Sequence, residues 1–370
     1  MPKMKVLMLV PNLQVANGVA SFVMNYLRNL NHDVIQMDVA SYQEGASPYY
    51  SEVKQYGGEV YFLTNIRNLS THLKTCNQIL SEGQYDVIHD NTLHVSIPMM
   101  WCAQKRGIAV RILHSHNSKM GETRIKELRN EIFRPVLCSL ATDYITCSQM
   151  AGDVLFKKRK YEMLPNVIRT EIYSFDALKR SEIRKKMGAQ GKFVIGTVGR
   201  LAEQKNPFFA IDVFKKLHDE MPDTEYWWIG SGGLDNRVKE YVESYRASDY
   251  IKLLGSRSDV LELYQAMDCF FLPSLFEGLP VTGVEAQAMG LPMVVSDTVT
   301  KEMVYTDLVD YVGLNESVEV WAEHLKNALD RHVDRACYSD MLTRSVFSDA
   351  ECGDRLTNLY RKLLHKHGGK

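Results

Sequence analysis

Short apolar runs bounded by Gly, Pro, Asn and Ser alternate along this chain with stretches whose apolar residues recur every three or four positions. The runs read as buried strands, at 5–10, 33–39, 59–63, 86–89, 109–113 and 144–147, then at 193–198, 225–229, 250–254, 269–273 and 292–296. The intervening stretches predict helices, among them 19–30, 69–81, 94–106 and 122–140, and later about 207–219, 234–246, 258–266 and 280–289. Alternation of this kind implies parallel sheets covered on both faces, hence an α/β fold. The pattern lapses in the polar stretch from Asn166 to Arg184, which holds no convincing strand. Two doubly wound domains follow, 1–170 and 171–349. A helix at about 350–366 fits either domain by pattern alone, and we group 350–370 with the first.

Composition narrows the class. At 370 residues the chain has room for two full cores. A net charge of −1 excludes a protein that binds nucleic acid through its overall field. The seven cysteines are scattered without a C-x-x-C pair, which argues for reduced thiols in the cytoplasm and against a zinc site. The apolar run Lys5–Val10 ends at Pro11, too short for a signal peptide, and no stretch approaches a membrane span.

The segment Phe276-Glu277-Gly278-Leu279-Pro280-Val281-Thr282-Gly283-Val284-Glu285-Ala286 is the most informative. A strand precedes it and helical composition closes it, so Glu277 falls in a strand-to-helix loop and Glu285 about two turns into the helix. Pro280 suits an early helical position, where its missing N–H costs nothing, and the backbone amides in the stretch from Gly278 to Val281, which includes Leu279, would point out of a helix N-terminus, a setting for an anion. Each glutamate alone is as well explained by a helix dipole or by solvation. The whole strand–loop–helix unit points to a site, because open α/β sheets bind ligands at the carboxyl ends of their strands.

Other strand ends add candidates. Gly199-Arg200-Leu201-Ala202-Glu203-Gln204-Lys205-Asn206-Pro207 offers a planar fork at Arg200 and a point charge at Lys205, suited to a diphosphate, although two solvated cations would read the same. Gly18 opens a helix after the first strand, in a loop without G-x-G-x-x-G, so a nicotinamide dinucleotide site is not indicated. His114 and His116 close a strand on the same side, where one can buttress the other. Arg257 follows the strand 250–254 and is a candidate for lining a base pocket, while Ser258 or Asp259 caps the next helix. The basic clusters Lys119–Arg129 and Lys157–Lys160 are either a solvated face or a contact for an anionic membrane.

Together these residues resemble glycosyltransferase family 4, retaining enzymes with the GT-B fold of two facing Rossmann-like domains and an interdomain cleft. Glu277-x7-Glu285 is similar to the family's E-x7-E motif, and Gly199 through Pro207 to its donor diphosphate clamp. His116 is the position most like the catalytic-centre histidine, with His114 the fallback. At Gly18 the family has a Gly-rich loop, from which Asn17 departs. The similarity spans nearly the whole chain, is strongest from 193 to 297, and in flavour is nearest the bacterial capsular and exopolysaccharide transferases.

The resemblance implies a nucleotide sugar, of the UDP class, held by Arg200 and Lys205 at its diphosphate, by Glu285 at its ribose and by Glu277 at its sugar. A hexose or N-acetylhexosamine would pass to a glycan or lipid-linked acceptor with retention, by front-side attack within an ion pair. No cofactor or metal is implied, and no two aspartates here are separated by one residue as in Asp-x-Asp enzymes. A cytoplasmic protein peripheral at the inner face of the membrane is expected. A UDP-sugar epimerase of related fold, and a non-catalytic nucleotide-sugar-binding scaffold, are the alternatives.

Overall fold

In the first strand Val6, Met8 and Val10 enter one apolar cluster while Leu7 and Leu9 enter another. Successive side chains point to opposite faces of a strand, so both faces of this sheet carry a core. The computed structural model describes residues 3–368 apart from 16, 46 and 122. It divides into two compact units, residues 1–167 with 349–370, and residues 168–348.

The first unit holds strands β1 (Met4–Val10), β2 (Ile35–Ser41), β3 (Val60–Phe62), β4 (Val87–Asp90), β5 (Val110–Ser115), β6 (Asp143–Thr146) and β7 (Glu162–Met163). All pair in parallel, in the order β3-β2-β1-β4-β5-β6-β7. The strand order reverses between β1 and β4, the position where doubly wound sheets open a crevice. The second unit holds β8 (Phe193–Val198), β9 (Thr224–Ile229), β10 (Ile251–Gly255), β11 (Cys269–Leu272), β12 (Met293–Ser296) and β13 (Val309–Val312). These too are parallel, in the order β10-β9-β8-β11-β12-β13, with the reversal between β8 and β11.

Residues 349–366 return to the first unit. Cys352, Leu356, Tyr360, Leu363 and Leu364 of the helix Cys352–Lys366 form one apolar stripe in that unit's core. Polar anchors fix its far end: Asp143, only 6% exposed, accepts from Lys366 Nζ at 2.7 Å and pairs with His367 Nε2 at 2.8 Å. The polar stretch after Asn166 is not formless. Ile168 bridges Ser348, and Ala177–Met187 is a helix capped by Asp176. The expected helix 94–106 divides into a 3-10 turn, His94–Ser96, and an α-helix, Ile97–Lys105, with Pro98 in its first turn.

Candidate functional site

In the second unit the carboxyl ends of β8 and β11 flank the reversal point, and the Glu203–Lys205 turn and the loop before the helix Val281–Ala288 emerge there. Lys205 and Glu277 meet at this point. Lys205 Nζ lies 2.6 Å from Glu277 Oε1, with side-chain exposures of 14% and 8%. Gln204 Nε2 donates to Glu277 Oε2 at 3.2 Å and to the Phe276 carbonyl at 3.0 Å, and the Leu275 amide donates back to the Gln204 carbonyl at 2.8 Å. A buried carboxylate needs such partners, because taking its charge out of water is costly otherwise. An ammonium carries three donors, so the bond to Glu277 leaves Lys205 with further capacity.

Local backbone fit explains how the loop is set. An added Cβ on Gly199 would come within 2.9 Å of Lys205 Cε, so the lysine stem crosses Gly199 where a side chain would stand. Trp228 Nε1 donates to the Gly199 carbonyl at 3.0 Å, and Gly230, at φ +136°, approaches the same carbonyl. Arg200 is thereby placed between pinned neighbours, with its side chain exposed.

The helix Val281–Ala288 begins after Pro280 with no side-chain cap, and Gly278 and Pro280 are buried beside Leu279. The hydroxyl of Thr282, in the first turn, is buried without a hydrogen-bond partner. An uncapped helix start presents donors and a positive dipole end to an anion. Glu285 is the fifth residue of this helix, one turn in rather than two. Its oxygens accept from Tyr173 Oη at 2.7 Å and Tyr264 Oη at 2.9 Å, and burial raises its pKa. Arg335 holds Tyr264 in turn, donating to its carbonyl at 2.9 Å.

The structure thus brings Lys205 and Glu277 together and gives Glu285 a separate setting. Arg257, the candidate for a base pocket, is engaged by its neighbour: Nε and Nη2 grip the two oxygens of Asp259 at 2.7 and 2.6 Å. Of the two residues expected to cap the next helix, Asp259 takes the N-cap position of Val260–Ala266, but its carboxylate faces Arg257 and makes no side-chain cap bond. Sequence reading missed Gln204, Tyr173 and Tyr264. For Gln204 the adjacent Lys205 was a signal; the tyrosines had none, lying 112 and 21 residues from Glu285.

In the first unit, a pocket of about 240 Å³ opens at the ends of β1, β4 and β5, lined among others by Val19, Asn91, His94, His114, His116 and Arg129. His89, His114 and His116 stack in series, with ring centroids 5.2 and 4.0 Å apart. Tyr360 Oη bonds His89 Nδ1 at 2.8 Å, and His89 Nε2 meets His114 Nδ1 at 3.0 Å. Burial pushes His89 and His116 down to about 3 and His114 well below its ordinary value, so the stack is neutral at pH 7. Asn91 Nδ2 donates to the Leu9 and His89 carbonyls, so its Oδ1 accepts from His116 Nε2 at 2.9 Å. That bond places the His116 proton on Nε2 and leaves Nδ1 as an acceptor. His114 is fully buried and buttresses His116, which is half-buried. Asp90, beneath the same loop, accepts from Thr92 N, Thr92 Oγ1 and Ser96 Oγ, and burial lifts it to about 6.

Gly18 opens the helix Gly18–Arg28 directly after its cap, Asn17. Asn17 Oδ1 accepts from the Val19 and Ala20 amides at 2.9 and 3.2 Å, taking first-turn donors that a phosphate would use. An added Cβ on Gly18 would meet nothing within 4 Å, so the fold itself does not require glycine there. Ala16 of this loop and Glu122 of the Lys119–Arg129 cluster lie outside the described residues. Among the described residues no group of three His, Cys, Asp or Glu is placed to hold a metal ion, and no helix is long and apolar enough to cross a membrane.

Comparison with known proteins follows the same division. The family model "Glycosyltransferase Family 4" matches residues 16–172 and "Glycosyl transferases group 1" matches residues 179–338. The putative glycosyltransferase EpsF of Bacillus subtilis is 29% identical over 84% of each chain. The UDP-Gal:alpha-D-GlcNAc-diphosphoundecaprenol alpha-1,3-galactosyltransferase of Escherichia coli is 27% identical over 60% of each. Among solved structures, Anabaena Alr3699/HepE in complex with UDP and glucose superposes with a TM-score of 0.79, at 16% identity, over 97% of this chain and 100% of that one. With a parallel α/β unit matched by each model and the GT-B fold shared throughout, the chain belongs to glycosyltransferase family 4 and is a glycosyltransferase.

Proposed function

We propose that this enzyme transfers a hexose or N-acetylhexosamine from a UDP-sugar, with retention of configuration, to a glycan or lipid-linked acceptor in capsular or exopolysaccharide synthesis. The observation that carries the proposal is the Lys205–Glu277 pair at the reversal between β8 and β11, beside a helix start without a side-chain cap. Lys205 and Arg200 take the diphosphate and stabilise the charge that grows on it as the glycosidic bond breaks. The Val281 amide at the helix start and the Thr282 hydroxyl complete that anion site. Glu277 shares Lys205 with the diphosphate and accepts from the sugar hydroxyls, while Glu285 accepts from the ribose. Arg257 borders the base, Gly18 leaves room near the donor, and His116, backed by His114, serves the reacting sugar. No metal or other cofactor takes part.

Several relatives support the donor and acceptor classes. The Escherichia coli galactosyltransferase is named for a UDP-sugar donor and a diphosphoundecaprenol acceptor, HepE was crystallised with UDP-glucose, and CapH of Staphylococcus aureus is named for capsular polysaccharide biosynthesis. The basic clusters Lys119–Arg129 and Lys157–Lys160 suit a cytoplasmic enzyme that visits an anionic membrane surface for a lipid-linked acceptor. A panel of UDP- and GDP-sugars tests the donor, because ligand binding raises the melting temperature by mass action. Label from the stabilising donor must then appear on an acceptor with its anomeric configuration kept. Stabilisation by no UDP-sugar, or label that stays on the nucleotide, would overturn the proposal.

A further inference from the structure

The helix Arg124–Leu140 wears its apolar residues on the outside. Its inward side is formed by Asn130, Leu137, Cys138 and Leu140, all buried. At a spacing of three, four and four residues on the opposite side stand Ile125, Leu128, Ile132 and Val136, exposed by 83%, 64%, 64% and 46%. That spacing is one continuous helical stripe. Scattered exposed apolar residues are ordinary, whereas a contiguous stripe marks an interaction surface.

Charge identifies the occupant. The helix carries Arg124, Lys126, Arg129 and Arg134 against Glu127 and Glu131. Lys157 lies 3.5 Å from Glu131, which sets the exposed run Lys157-Lys158-Arg159-Lys160 next to the helix. This cationic surround belongs to a chain whose net charge is −1, so positive charge is gathered at this face. An apolar stripe rimmed by cations matches an anionic lipid surface, with hydrocarbon below and phosphate at the rim. Among the described residues no helix is long and apolar enough to cross a membrane.

The pocket adjoins it. Arg129 and Asn130 line the pocket, and Phe133 stacks on the pocket residue His94 at 6.0 Å. We infer that Arg124–Leu140 is an interfacial docking helix that inserts Ile125, Leu128, Ile132 and Val136 among anionic lipids. It thereby presents the adjoining pocket at headgroup level to an acceptor carrying a lipid tail. The second step rests on the transferase reading above; the docking does not.

Sedimentation of the full chain with vesicles of phosphatidylcholine, with and without phosphatidylglycerol, tests it. The wild-type protein should favour the anionic vesicles at least tenfold. Leu128→Ser/Ile132→Ser should lower partitioning at least tenfold at every salt concentration, and Arg124→Gln/Lys126→Gln should remove mainly the salt-sensitive part. All these residues are exposed, so circular dichroism should match the wild type. Wild-type protein that ignores anionic vesicles, serine variants that bind them undiminished, or a lipid-free dimer abolished by the serine changes would each overturn the docking proposal. Thermal shifts with UDP-glucose, UDP-galactose, UDP-N-acetylglucosamine and UDP-N-acetylgalactosamine on the same samples separate the two readings. Donor stabilisation without vesicle binding refutes docking alone, and vesicle binding without donor stabilisation refutes the donor assignment alone.

Discussion

Replacing Lys205 with methionine separates what the Lys205–Glu277 pair does for the fold from what it does for a donor. The two groups sit 2.6 Å apart with side chains only 14% and 8% exposed. Losing one member of a buried pair costs about 3–5 kcal/mol, because the other charge stays behind unmatched. Glu277 keeps Gln204 Nε2 at 3.2 Å, so Lys205→Met should destabilise the second unit by about 3 kcal/mol, at the low end of that range. Glu277→Gln leaves an ammonium that can reach water, and about 2 kcal/mol is expected. In Lys205→Met/Glu277→Gln neither charge is stranded, so the double variant should regain about 2 kcal/mol over the sum of the singles. Three of the four tryptophans, Trp227, Trp228 and Trp321, are buried in residues 168–348, so urea unfolding followed by tryptophan fluorescence reports this unit. Turnover should fall at least tenfold in all three variants, about 1.4 kcal/mol or more in transition-state binding, with no recovery in the double. Additive stability losses would refute the pairing. A double variant that recovers both stability and turnover would show that the pair serves the fold alone.

Acid should weaken the first unit. His89, His114 and His116 are neutral in the fold but take up protons on unfolding below their ordinary pKa of 6.5, whereas Asp90, raised from 3.8 to about 6, releases one between those values. The net uptake of two protons between about pH 6 and 4 predicts a loss of roughly 3 kcal/mol per pH unit, readable as faster hydrogen exchange in β1, β4 and β5; flat exchange energies would contradict it. Gly199→Ala should lower turnover at least tenfold by shifting the stem of Lys205, whose Cε lies 2.9 Å from the new Cβ, while the ammonium keeps Glu277, so calorimetry should find a smaller stability loss than for Lys205→Met. Gly353→Ala would set a Cβ 1.8 Å from the Asn29 carbonyl oxygen and should cost about 1–3 kcal/mol, seen as a lower urea midpoint for the first unit.

Elements with strong apolar runs were legible in the sequence: β1, β8 and β11 fall within about one residue of their expected bounds. β7 has two residues and β13 places Asp310 among short apolar neighbours, so neither makes a recognisable run, and sheet pairing alone defines them. The helix Ala177–Met187 buries only Ile183, which leaves almost no periodic stripe to detect. At the site, Lys205 and Glu277 were found because strand ends in open sheets attract ligands. The hydroxyls on Glu285 and the Asn91 bond that sets the His116 proton were not, because each joins segments far apart in the chain. Asn17 shows a residue type misleading by position: it departs from a glycine pattern, and its amide side chain then caps the helix.

Tyr360 touches His89, yet the whole of residues 168–348 is synthesised between the sheet that carries His89 and the helix that carries Tyr360. The core of the first unit is therefore complete only after residues 168–348 have been made, because Leu356, Tyr360 and Leu363 belong to it. Chains cut short before Tyr360 would lack the phenol that closes the histidine row and leave His89 Nδ1 buried without that bond.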